Sequence, residues 1–425
     1  MKNLKTKKFN TDLIKYTAFF FAFVSLYNFL IVCKCHLWDV DMITYTYHLP
    51  DFSFGFVTKV LPGAIYHLFF KEVEPLQLNI YLNCLMLVFF AFVAFALAKL
   101  VTSRSSEGSR RTLTVLSVFY LSGPCTFAIF TRELGMLDFY WLLFSVIFLL
   151  LVSNKYLKFA VPLIFVLSLL VHFSFVFCYF IFYILVLFYR IVNVEQKKER
   201  VSLIVILALS VAGVIALALY LIAREHNNLV YSIDEFHKQL DARNKFTKDT
   251  YYIYYDYAFY KKLEIGEYSF AEIVKHPLIE GDSRLAVLIN QVYFQLEMIR
   301  DSYLYVGNRL KQLICLLALI APLYGVCIKY WVGKMKTNTQ KSKKFLFLLM
   351  ILQFPLTAGF GLCFSPDVSR WLTHALLIQL TLLFYVIYHE GDAFAIEIKK
   401  HKVIKLIVLA VYFIVYALTF INPYH

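Results

Sequence analysis

The feature that most restricts this chain is its series of unbroken apolar runs of roughly 18 residues, the length a helix needs to cross a ~30 Å hydrocarbon layer. Inside a bilayer every backbone polar group must bond within the protein, so only helices and closed barrels span. A barrel would show ten-residue segments of alternating polarity, and the runs do not alternate. The expected fold is therefore all-α, a polytopic transmembrane helical bundle of about 11 spans. We place them near 16–33, 80–101, 112–131, 138–153, 159–171, 173–190, 201–223, 312–332, 345–364, 371–388 and 403–420. The whole chain, 1–425, reads as one integral membrane domain, with a large extracytoplasmic loop over 224–311. The opening MKNLKTKKFN and the apolar run after it lack a small-x-small cleavage site, so they read as a retained signal anchor.

Sidedness follows from the basic residues. Short cytoplasmic loops accumulate Lys and Arg. With the N-terminus inside, cytoplasmic segments hold 25 of the 42 basic residues and short outer loops hold five: Lys34, Lys59, Lys71, Arg132 and Arg370. The other twelve lie in the long loop, where the rule has little force. The same rule divides the apolar stretch 159–190. One helix would be too long and would place Arg190, Lys197, Lys198 and Arg200 outside, so two short helices turning near His172 are expected. The net charge of +14 thus reflects topology, and no nucleic-acid partner is expected. Cys84, Cys125, Cys178, Cys315 and Cys327 lie in apolar runs and read as packing residues, while Cys33 and Cys35 lack the second pair that a metal site requires.

Charged groups concentrate at the predicted outer face. Asp39 and Asp41 follow the first span, then Asp51 and Lys59. Arg132, Glu133 and Asp138 crowd one short loop, His172 sits at a turn, and Asp367, Arg370 and His374 share one helical face. An ionisable group in the membrane costs about 2.5–3.5 kcal/mol on insertion scales and usually pairs or lines a polar cavity. Such a cavity, opening outward, is expected here. Asp39, Asp41 and His172 suit general-base chemistry, and the two aspartates also suit a divalent metal. Arg132 and Arg370 suit phosphate, whose oxygens a guanidinium grips with two parallel bonds. Glu133, Asp138, Asp367 and His374 would support them. Each also has a structural reading: solvated loop aspartates, a snorkelling Arg132 neutralised by Glu133 and Asp138, a satisfied His172, and a helix-end pair of Asp367 with Arg370.

The sequence contains no P-loop, dinucleotide fingerprint, HExxH or GxSxG motif, which argues against nucleotide-driven pumps and membrane zinc proteases of those types. The segment 130–175 opens a span at Arg132, turns through Lys155 and Lys158, and ends at His172 and Ser174. With the aromatic richness and one large late outer loop, it resembles bacterial O-antigen and exopolysaccharide polymerases. The acidic pair Asp39 and Asp41 in the first outer loop is similar to that of GT-C fold glycosyltransferases. Both resemblances imply sugar on a polyprenyl phosphate or pyrophosphate carrier as substrate, and a bacterial cytoplasmic membrane as location. The first implies a reaction without a cofactor, with a chain-length regulator and a flippase as partners. The second adds one sugar and admits a divalent metal. A transporter or flippase of envelope precursors is a further alternative.

Overall fold

The computed structural model describes residues 2–32, 42–56, 59–104, 106–123, 126, 134–224, 230–245, 289–290, 292–294, 296–297, 299–300, 309–364 and 368–390. Among these the architecture is helical, with a single isolated bridge between Val73 and Asn244. In chain order the helices are α1 (Lys2–Tyr27), α2 (Met42–Tyr47), α3 (Leu61–Tyr66), α4 (Pro75–Thr102), α5 (Glu107–Ser122), α6 (Leu137–Ser153) and α7 (Val161–Val171). There follow α8 (Tyr179–Asn193), α9 (Lys197–Arg224), α10 (Ile233–Arg243), α11 (Arg309–Thr337), α12 (Lys341–Phe364) and α13 (Val368–Glu390). Six of them, α1, α4, α9, α11, α12 and α13, are long and apolar enough to cross a membrane; α6, α7 and α8 are shorter apolar helices. The chain is thus a multi-pass membrane protein. The expected span 403–420 and most of the loop 224–311 lie outside the described residues.

Helix ends follow local chemistry. Pro75 and Pro162 occupy first-turn positions of α4 and α7, where a missing N–H costs nothing. Ser106 caps α5 by accepting from the Ser109 amide. The expected span 112–131 is corrected: α5 starts at Glu107 and stops at Ser122, because Gly123 followed by Pro124 ends a helix. The apolar stretch 159–190 is broken where expected. α7 stops at Val171, His172 is extended, and a 3-10 turn over Phe173–Phe177 leads into α8.

α13 is the centre of the bundle. In its most apolar window 89% of residues are buried, against 17% in α1 and 22% in α9. α8, α11 and α12 pack around it, and α4 touches it from the other side. Close approach of α12 to α13 depends on Gly361, where a Cβ would collide with the Trp371 ring. Pairs α1–α4, α7–α9 and α11–α12 build the outer layer.

Two segments that the sequence reading expects at the outer face are tied together. α10 lies within the expected loop 224–311, and its last-turn Arg243 reaches the segment after α2. There Arg243 bonds Asp51 at 3.0 Å, the Leu49 carbonyl at 3.2 Å and the Ser53 hydroxyl at 3.1 Å, over the Phe54 ring. Burial works to raise the Asp51 carboxyl's pKa. The Ser53 hydroxyl and amide, with Arg243, outweigh burial and hold it below its ordinary value. A carboxyl depressed in the folded state adds stability above its unfolded pKa, near 3.9, and loses it as pH falls through the folded value. The protection of amides 236–243, as exchange relative to the unfolded-chain rate at the same pH, is therefore expected to stay high from pH 8 to about pH 5 and to fall in more acid solution. Arg243→Ala should give the low protection already at neutral pH. Equal exchange in the variant and the parent would remove this tie.

Candidate functional site

A group of buried polar side chains gathers at the end of the bundle formed by the starts of α6, α8 and α13 and the end of α7. Asp138 stands in the first turn of α6, where the helix dipole favours a carboxylate. The turn before it is set by Gly135, whose φ of +83° few residues tolerate. Arg370 in the first turn of α13 donates to Asp138 twice, Nε to Oδ2 at 2.6 Å and Nη2 to Oδ1 at 2.7 Å. This is the parallel two-bond pairing that makes guanidinium–carboxylate contacts strong and directional. The Asp138 side chain is 5% exposed and that of Arg370 21%, so the pair closes the interior while the guanidinium keeps an outer edge.

One turn deeper, His374 is fully buried. Its Nε2 lies 3.2 Å from Asp138 Oδ2, in contact though off the line of a well-aligned hydrogen bond. Its Nδ1 is 3.0 Å from the hydroxyl of Tyr179, the first residue of α8. The carboxylate draws the imidazole proton to Nε2, which leaves Nδ1 to accept from Tyr179. Carboxylate, imidazole and phenol thus form a chain of three groups from three helices.

Trp141 is the support for these rings. Its indole, on α6 one turn beyond Asp138, packs against His172, Tyr179 and His374 with centroids 6.2, 5.8 and 6.2 Å away. Its Nε1 donates to the Ser168 carbonyl at 3.0 Å, so the ring cannot turn without losing a buried bond. His172 accepts from the Ser174 amide at Nδ1. That places its remaining proton on Nε2, so in this geometry the imidazole presents a donor. Lys59 stands nearby and its charge, like that of Arg370, acts on His172. Lys59 adopts φ +71°, a left-handed conformation that costs a side-chain-bearing residue roughly 1–2 kcal/mol. Its N–H bonds the Leu170 carbonyl at 3.0 Å, and this holds the residue against the end of α7.

Of the residues expected from sequence, Asp138, His172, Arg370 and His374 are brought together here. Asp39, Asp41, Arg132, Glu133 and Asp367 lie outside the described residues. Asp138, read as a neutraliser of Arg132, has Arg370 as its partner. Lys59 reads from the sequence only as one more cation of the expected outer face, and Tyr179 and Trp141 carry no signal: an aromatic in an apolar run is indistinguishable from packing. A second buried histidine, His48, approaches the Thr44 carbonyl at 2.7 Å and the Tyr140 hydroxyl at 2.6 Å. Burial pushes His48 down to about 4; the Thr44 carbonyl opposes this and His67 adds to it. His48 is therefore a neutral tie between α2 and α6. Among the described residues no group of three or more His, Cys, Asp or Glu side chains is placed to hold a metal ion. The described cysteines, Cys84, Cys178, Cys315, Cys327 and Cys363, are free thiols. The chain matches no protein-family model, no curated protein and no solved structure, so its site is read from its own residues.

Proposed function

We propose that this chain transfers glycosyl groups at the outer face of a bacterial cytoplasmic membrane, polymerising repeat units carried on polyprenyl pyrophosphate. An acceptor sugar hydroxyl attacks the anomeric carbon of the carried glycan. The new glycosidic bond forms as the bond to the pyrophosphate oxygen breaks, and the pyrophosphate lipid leaves with the electron pair. The reaction needs cations beside the departing phosphate and a group to take the hydroxyl proton. The observation that carries this reading is the Asp138–Arg370 pair, with His374 and Tyr179 behind it and Lys59 and His172 beside it, at one end of the bundle. Arg370 and Lys59, the two cations whose charge reaches His172, suit a phosphate-bearing headgroup. Arg370 is aimed by Asp138, and His172 offers Nε2–H to a phosphate oxygen. Tyr179, in contact with His374, is placed to pass on a proton. The distribution of Lys and Arg supports an outward orientation of this end.

The test is the lipid-linked glycan profile of a strain lacking the protein. Complete single repeat units at the outer face, with no long polymer, are expected. A carrier glycan short by one sugar would replace the polymerase with a single-addition transferase, and complete units held at the inner face would replace it with a flippase. An unchanged profile would end the lipid-linked sugar reading.

A further inference from the structure

Below Tyr179 a cavity of about 610 Å³ runs along the bundle between α4 and α6, with α13 and α8 behind it. Its side is open. Phe92 and Phe95 of α4 and Leu150 of α6 line it and are 49, 47 and 56% exposed, on the surface a bilayer would cover. Along α6 it extends from Leu142 to Ser153, and along α13 from Leu377 to His389. At 1.5 Å per residue these spans are about 16 and 18 Å, roughly half of a ~30 Å hydrocarbon layer. The cavity therefore has the depth of one leaflet.

Its two ends differ. At one end the ring of Tyr179 forms the wall, with its hydroxyl turned to His374. At the other end Lys99, Ser153, Tyr388 and His389 come together. Lys99 is exposed, 5.5 Å from the centroid of the Tyr388 ring, and among the described residues no carboxylate stands within ion-pair distance of it. Three other charged groups at this end have partners. Glu390 takes Lys334 and the Tyr330 hydroxyl, Arg190 takes Glu199, and Arg104 donates to the Tyr388 carbonyl at 3.3 Å. The mouth of an apolar, leaflet-deep cleft thus carries a lysine charge that no carboxylate among the described residues balances.

An empty apolar cleft facing lipid forfeits dispersion contacts along its whole wall, and a lipid chain restores them. Chain burial gives little selectivity, because lipid tails are as apolar as the helix surfaces they leave. Selection comes from the headgroup, through the lysine. We propose that this cleft holds one acyl chain of an anionic phospholipid, with its phosphate against Lys99, from the leaflet at the opposite end of the bundle from Arg370. The site is independent of the glycosyl-transfer reading, because its headgroup end and the Asp138–Arg370 end face opposite ways.

The experiment is native mass spectrometry of the full chain in detergent containing equal amounts of phosphatidylglycerol and phosphatidylcholine. The parent protein is expected to retain one phosphatidylglycerol in roughly fivefold preference, the selectivity one basic residue gives near an anionic headgroup. Lys99→Gln should abolish the preference while lipid is still retained, and Lys99→Arg should keep it. Ala96→Trp, which fills the cleft, should lose retained lipid of both kinds. Equal retention of the two lipids by the parent would overturn the proposal. So would unchanged retention by Ala96→Trp, or a preference abolished by Arg370→Met and kept by Lys99→Gln, which would place the anion at the other end. Lys99 is exposed, so its variants read the headgroup contact whether or not the cleft-filling variant folds.

Discussion

Asp138→Ala is expected to destabilise this protein by about 3 kcal/mol, and removing Arg370 as well is expected to restore most of that loss. Breaking a buried ion pair on one side typically costs about 3–5 kcal/mol, because the remaining charge stays desolvated without its partner. The lower end applies here. The Arg370 side chain keeps 21% of its surface exposed, so water can reach part of the stranded guanidinium. The double variant Asp138→Leu with Arg370→Met replaces both charges by apolar volume, an exchange that is often neutral or favourable for buried pairs. It should melt within a few degrees of the parent, and well above Asp138→Ala, in thermal unfolding in detergent. Its glycan polymer should nevertheless be lost. Recovered stability with lost activity would separate the pair's chemical role from its structural one. If the double variant polymerises normally, the pair is a structural clasp and the proposed site is wrong.

How far the sequence carries depends on the range of the interaction. Span positions are local properties, and the apolar runs place helices at nine of the expected positions among the described residues, with α5 displaced from the tenth and the break at His172 dictated by where Arg190 and Lys197 have to lie. Which helix is central was not legible. α9 is the most hydrophobic candidate span and only 22% buried, whereas α13 has much lower hydropathy and is 89% buried. In a bilayer the most apolar faces go to lipid, and the helix enclosed by protein can carry Gln379, Thr373 and His374 because neighbours satisfy them. Hydropathy in this setting measures contact with lipid more than depth in the fold. The site shows the same division. Arg370 and His374 are one helical turn apart, so their shared face can be read from spacing alone. Their partner Asp138 is 232 positions from Arg370, and Tyr179 is 195 positions from His374. No local pattern encodes those pairings; they exist because α6, α8 and α13 begin at the same end of the bundle.

Tyr179→Phe is expected to lower polymerisation about a hundredfold, the lower end of what a positioned proton-transfer group contributes, while leaving the fold nearly intact. The substitution deletes one oxygen. The ring keeps its packing 5.8 Å from Trp141 and 5.5 Å from His374, so the stability loss should be that of one hydrogen bond, about 1 kcal/mol. If Asp138, His374 and Tyr179 move a proton as one unit, their removals will not add, because deleting one member already disables the others. His374→Ala and the double variant Tyr179→Phe with His374→Ala should then be equally inactive. The single phenylalanine variant should also change the shape of the pH–rate profile, since the chain has lost its terminal hydroxyl. A packing role for Tyr179 predicts something else: activity within about twofold of the parent and an unchanged pH–rate profile. Measured polymer formation from isolated lipid-linked repeat units distinguishes the two. Near-parental activity in Tyr179→Phe would remove the phenol from the mechanism and leave Arg370, Lys59 and His172 as the groups that face the substrate.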